Sequence, residues 1–251
     1  DCLDSDADTD GLPDYLAEPS AFAGVETSDE GIDDGGEVGQ TGGNGDDYDF
    51  LVNKTMMRIN LKQPLKKGET AKIDIKWWYN INDRMKHGGR SGYEYFEKDD
   101  NYLYTIAQFY PRMAVYNEVE GWQNKQFLGN GEFALAFGDY EVNLTVPADH
   151  VVGATGVLQN AKDILTKKQL KRLEQAKEET VNPVIIVTQK EAEKAEKSKS
   201  KKTKTWTFKA KNVRDFAFAS SRKFIWDAMA VKQKSGTVMA MSLYPKEGNP
   251  L

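Results

Sequence analysis

Cysteine occurs once, at Cys2, which excludes an internal disulfide framework. Histidine occurs twice, at His87 and His150, and neither lies in an H-E-x-x-H or in a Cys/His cluster of zinc spacing. No apolar run approaches the ~20 residues that cross a bilayer as a helix, so no transmembrane segment is expected. No leader-peptide pattern opens the chain, which begins at Asp1, and a mature or truncated product is the expectation. Basic residues are missing from the first 53 positions, which hold 12 Asp and 4 Glu. From Lys54 onward the balance reverses to 34 basic against 23 acidic side chains, so the net −5 hides an acidic segment joined to a body of about +11.

Catalytic signatures are also missing. Ser91, Ser220 and Ser221 have no evident His or Asp partners in the pattern, so nucleophilic catalysis is unsupported and no catalytic residue is assigned. His87 precedes "GGRSGYEYF", a Gly-rich loop without the Lys-Ser/Thr of a phosphate cradle, and it reads as a turn. His150 follows "VPAD" at a strand end and also reads as a turn residue.

Residues 1–47 read as an extended acidic segment, too poor in apolar groups to offset the entropy of ordering it. Within it, Asp6, Asp8 and Asp10 alternate before Gly11, the first half of a D-x-D-x-D-G calcium loop. The twelfth position, acidic in an EF-hand, is Ala17. With Asp14 the spacing resembles the calcium-binding thrombospondin type 3 repeats of secreted proteins. Calcium held by Asp6, Asp8, Asp10 and Asp14 and a solvated linker both remain open.

From residue 48 the pattern turns to strands. "MRINL" and "AKIDIKWWY" alternate, and "DYEVNLTV" puts Tyr140, Val142, Leu144 and Val146 on one face. Many short strands between Gly, Pro and Asn turns predict a mainly β chain, an antiparallel β-sandwich over 48–251. A helical, charged insertion is expected at about 160–204. Thr166 and Gln169 fit a capping box there, while "QKEAEKAEKSKSKKTK" reads as a solvated Lys/Glu tract. The tract has no interleaved aromatics and Glu dilutes its charge, so nucleic acid is not an expected partner.

Five stretches carry a family likeness: "TMMRINL", "WWYNIND", "GGRSGYEYF", "YTIAQFYPRMAVYNEVEGWQNKQFLGNGEFALAFGDYEVNLTVPADHVVGATGVLQN" and "NVRDFAFASSRKF". They resemble the gluzincin zinc aminopeptidases, the family of alanyl aminopeptidase and the leukotriene hydrolase, and bacterial members most. The resemblance implies the later part of a saddle-like amino-terminal β-sandwich. It also implies a following catalytic domain with H-E-x-x-H and a third Glu ligand, whose zinc ligands are not in this chain. The chain would then be inactive alone and meet peptide substrate through that missing domain, in a secreted or periplasmic setting. The likeness places Gln108, in "AQF", beside the amino-terminal side of the substrate, and Arg112, in "PRMA", as the Arg that orients the loop. A freestanding binding module on a calcium-stiffened linker is the alternative, with Trp77, Trp78 and Trp122 stacking on sugars.

Overall fold

Alternating and β-branched runs dominate this chain, and they form strands joined by Gly-, Asn- and Asp-containing turns. The computed structural model describes residues 41–43, 46–53, 56–125 and 134–248. In chain order the elements begin with β1 (Thr41–Gly43), β2 (Asp46–Asn53), β3 (Met56–Asn60) and the one-turn helix α1 (Arg84–His87). β4 (Gly92–Phe96), β5 (Asn101–Ile106), β6 (Tyr116–Asn117) and β7 (Gly121–Trp122) follow. Next come β8 (Gly138–Pro147), β9 (Val151–Ala154), β10 (Val157–Leu158), α2 (Ala161–Ile164) and α3 (Lys167–Ala176). The remainder is β11 (Val184–Val187), α4 (Gln189–Ser198), β12 (Thr203–Val213), β13 (Phe218–Ser221), β14 (Ile225–Gln233), β15 (Gly236–Tyr244) and a 3-10 turn at Lys246–Gly248. The protein is thus mainly β, and among the described residues every strand pairing is antiparallel and the few helices are short. No helix among the described residues is long and apolar enough to cross a membrane.

Two compact units are present, Asp1–Arg90 with Gln108–Ala136, and Ser91–Ala107 with Phe137–Leu251. In the first, β1, β2 and β3 form a small sheet, and β6 and β7 a two-stranded ribbon. "AKIDIKWWY" keeps the expected alternation, with Ile73, Ile75, Trp77 and Tyr79 half-buried and Lys72, Asp74, Lys76 and Trp78 exposed. It is extended chain rather than a strand of a sheet, with a single bridge residue at Asp74. Period-two patterning reports which side faces protein; a ladder also needs a partner strand.

The second unit stacks sheets in a sandwich-like arrangement. One sheet has the order β4-β5-β13-β9, another β11-β14-β15, and a third β10-β12-β8. Gly153 of β9 lies against Leu243 of β15: a Cβ there would come within 2.8 Å of the Leu243 side chain, so glycine is what lets these two sheets approach. At the β9–β10 turn Gly156 (φ 91°) sits on the backbone carbonyl of Lys209, a position only glycine fills. β8 alternates as expected, with Leu144 buried and Glu141, Asn143 and Thr145 exposed, and pairs with β12 from Thr203↔Pro147 to Ala210↔Tyr140. The core comprises Trp206 and Phe208 from β12, Ile225, Trp226, Ala228 and Ala230 from β14, and Phe216 and Phe224 at the strand ends.

The Thr166–Gln169 capping box forms as expected and starts α3, which buries Leu173 and Ala176. The Lys/Glu tract behaves differently from the solvated connector expected. It forms α4, started by a second reciprocal capping box between Thr188 and Glu191, and buries Ala192 and Glu196. Arg172 of α3 bonds Glu191 at 2.7 Å and the Ile186 carbonyl at 2.9 Å, tying the two helices to β11.

Candidate functional site

The loop that begins at Gln108 has no ladder to shape it and is held by side chains instead. Trp77 donates its indole N–H to the Phe109 carbonyl at 2.7 Å, which fixes the loop to the extended 71–79 segment. Phe109 and Tyr110 meet edge to face with centroids 5.0 Å apart. The Arg112 guanidinium lies over the Tyr110 ring at 5.7 Å, a cation–π contact worth about 0.5–1 kcal/mol at a partly exposed site. Further on, the Asn117 side chain accepts from the N–H groups of Val119 and Glu120, closing the turn between β6 and β7.

Gln108 itself is exposed, and its backbone is left-handed, with φ 53°. For a side chain longer than Asn or Asp this conformation is uncommon and costs of order 1 kcal/mol. Such strain persists where a structure over-determines it; Asp100, Lys199 and Asn212 also have a left-handed backbone. Its amide can donate and accept at once and carries no charge, which suits an ammonium or a peptide backbone group equally. Arg112, expected as the Arg that orients the loop, is half-buried on Tyr110. The aromatic groups nearby in sequence divide. Trp77 is half-buried and bonded, whereas Trp78 and Trp122 are 49% and 51% exposed, and Trp122 meets Tyr116 at 70° rather than in one plane.

The calcium ligands expected at Asp6, Asp8, Asp10 and Asp14 lie outside the described residues. Among the described residues no three His, Cys, Asp or Glu side chains converge as a metal site.

The second unit contains two polar clusters that sequence reasoning missed. His150 does close a turn, its N–H bonded to the Pro147 carbonyl, but its ring is buried and its Nδ1 lies 2.9 Å from Ser220 Oγ. Ser220 therefore has the histidine partner that the sequence pattern did not reveal. The pair is no nucleophile–base couple open to substrate, because the His150 and Ser220 side chains are both buried. Burial, followed by the nearby Arg222 charge, lowers the His150 pKa to about 4, so the ring is neutral near pH 7. Asp149 beside it accepts from the Ser200 N–H and the Ser198 hydroxyl and pairs with Arg222. Burial alone would raise its pKa; those bonds outweigh it and hold the carboxyl below the usual range.

The other cluster centres on Lys223, whose side chain is fully buried. Its ammonium bonds Asp99, reaches Glu196 and Glu247 at 3.0 Å each, and lies 4.6 Å from the centre of the Phe96 ring. Lys246 adds a second cation at 2.8 Å from Glu196. Burial would depress the Lys223 pKa, but the hydrogen bonds to its three carboxylates raise it above the ordinary value. One buried charge thus ties the β4–β5 turn, α4, the β13–β14 turn and the segment after β15. The only signal in the sequence was a Lys next to Arg222 in "SSRKFIW", with partners up to 124 positions away.

Comparison with family models, with curated proteins and with solved structures finds no match. The family likeness rests on the five stretches quoted above.

Proposed function

We propose that this chain is the noncatalytic amino-terminal β region of a zinc-dependent aminopeptidase, supplying one edge of the peptide site through Gln108. The observation that carries the reading is the exposed Gln108 amide on a left-handed backbone, in a loop stapled by Trp77 and stiffened by Arg112 on Tyr110. It stands at the residue for which the likeness implies a substrate-side contact, and the mainly antiparallel β architecture agrees with the implied fold. The described residues do not fit a zinc centre: His150 is committed to Ser220, and no third-ligand cluster surrounds His87. No hydrolytic step is therefore assigned to them. Zinc in the whole enzyme would activate water and polarise the scissile carbonyl. The part played by this chain is to hold the free amino end of the peptide in register.

The test has two arms. The purified 251 residues are expected to hold no stoichiometric zinc and to leave aminoacyl anilides intact. In a gene product that carries the downstream domain, Gln108→Ala is expected to raise KM for a dipeptide about tenfold, the ~1.4 kcal/mol of a lost hydrogen bond to a charged group. Zinc with turnover from the chain alone, or a Gln108→Ala variant with unchanged kinetics, contradicts the reading.

A freestanding binding module is the second reading, and the exposure of Trp78 and Trp122 favours it. The perpendicular Tyr116–Trp122 pair is not the flat platform that sugar rings stack on. A glycan screen on which Trp122→Ala abolishes binding would put this reading first.

A further inference from the structure

The turn between β8 and β9 is closed by His150, and it is also where the chain leaving α4 is held. Ala148 donates its N–H to the Lys202 carbonyl at 2.8 Å, and the Asp149 carboxylate accepts from the Ser200 N–H at 2.6 Å and the Ser198 hydroxyl at 2.8 Å. Lys199 stands between those two serines with φ 41°, a left-handed backbone that a lysine keeps only under restraint. Residues 198–202 are all Ser or Lys, with Ser200 half-buried and the rest exposed, so no apolar side chain anchors them. Apart from the Lys199 ammonium on Asp100, their hold on the body runs through this one turn. Facing the His150 ring are Tyr104 of β5, with centroids 6.2 Å apart, Ser220 of β13 and the Arg222 charge just beyond it; Asp149 is its neighbour in the turn. Tyr104 is an uncharged phenol, Asp149 favours a proton on the ring, and burial and Arg222 oppose one. An imidazolium here would be a buried cation beside a guanidinium.

We propose that His150 is an acid-sensitive catch: a proton on its ring opens the β8–β9 turn and releases the 198–202 connection while the core strands stay folded. Opening gives the ring to water, where it takes a proton near the ordinary 6.5; in the closed turn it resists protonation down to about 4. The open form therefore binds the extra proton, and acid favours it by about tenfold per pH unit and about 300-fold across that window. Asp149 is not the trigger, because its bonds to Ser200, Ser198 and Arg222 keep its carboxyl below the usual range. What opens is the polar hold on 198–202. The buried Trp226, Ala228 and Ala230 of β14 take no part in it.

Amide hydrogen exchange on the full chain, read residue by residue across this pH range and in urea below the unfolding transition, tests the catch. The Ala148, His150 and Ser200 amides are expected to lose protection by about tenfold per pH unit beyond the intrinsic exchange rate, at a level that urea does not change. The ladder amides of β14 are expected to be better protected and to respond to urea, as amides that open only with the whole unit do. His150→Gln should remove the pH dependence at the three amides, and His87→Gln should leave it. Should His150→Gln fail to fold, the parent's own NMR titration decides, with the His150 ring and the Ser200 amide expected to share one midpoint at about 4. The proposal is overturned if the turn exchanges only together with β14, if its pH dependence survives His150→Gln, or if the Ser200 amide does not follow the titration of the ring.

Discussion

The two units differ in what they bury. Every fully buried side chain among the described residues belongs to the second unit, where Trp206, Phe216, Phe224 and Ile186 are at or near zero exposure. In the first unit the described side chains are half-buried or exposed, and Met113, Tyr116, Val119 and Trp122 all stand more than half in solvent. One unit is organised around its own core and a buried ammonium; the other keeps aromatic and polar groups at its surface. Loop residues held in place by a few side-chain contacts are where binding groups concentrate, and exposed apolar patches signal contact surfaces. The comparison therefore separates a unit with a buried core from one whose described side chains are half-buried or exposed.

Lys223→Met should break this division most severely. It leaves Asp99, Glu196 and Glu247 facing one another without their cation, and about 3–5 kcal/mol of stability should be lost, read from the urea midpoint. A loss under about 1 kcal/mol would mean that the cluster does not organise the second unit. Acid comes next. His150 is neutral when folded, with its pKa lowered to about 4, whereas the unfolded ring titrates near 6.5. The unfolded chain thus binds the extra proton, and stability should fall as pH drops through that window, by up to about 3 kcal/mol. His150→Gln should flatten the acid limb, and unfolding followed by Trp206 and Trp226 fluorescence is the measurement. Thr188→Ala, which removes the cap of α4, should cost about 1 kcal/mol in the same assay.

In the first unit the expected effects are small and of opposite kind. Gln108→Gly relieves a left-handed backbone and should be neutral or stabilising by up to about 1 kcal/mol, while removing the amide. Trp122→Ala should change stability by less than about 0.5 kcal/mol, as surface substitutions do. A large loss from either would mean that the first unit depends on these exposed side chains for its stability.

Local physics was legible in the sequence, and long-range physics was not. β8 could be read because alternation is a property of consecutive residues, and α3 because Thr166 and Gln169 are three positions apart. The same capping logic applied to Thr188 and Glu191, but the helix behind them buries alanine and a glutamate rather than leucines, so its inward stripe did not stand out from a charged tract. "AKIDIKWWY" showed the correct side-chain alternation without the ladder it suggested, because no neighbouring strand can be read from one segment. His150 with Ser220, and Lys223 with Asp99, join residues 70 and 124 positions apart, and only the sheet order brings them together. For the loop at 108–125 the sequence offered residue types and a likeness; the backbone of Gln108 and the seat of Arg112 on Tyr110 required the fold.

The role proposed for Gln108 requires metal chemistry supplied by a domain that follows this one. Sequencing the gene beyond the codon for Leu251 tests it most directly. An in-frame H-E-x-x-H with a further Glu downstream is the expected result. A stop codon directly after Leu251 would contradict it and leave the exposed Trp78 and Trp122 surface as the functional centre.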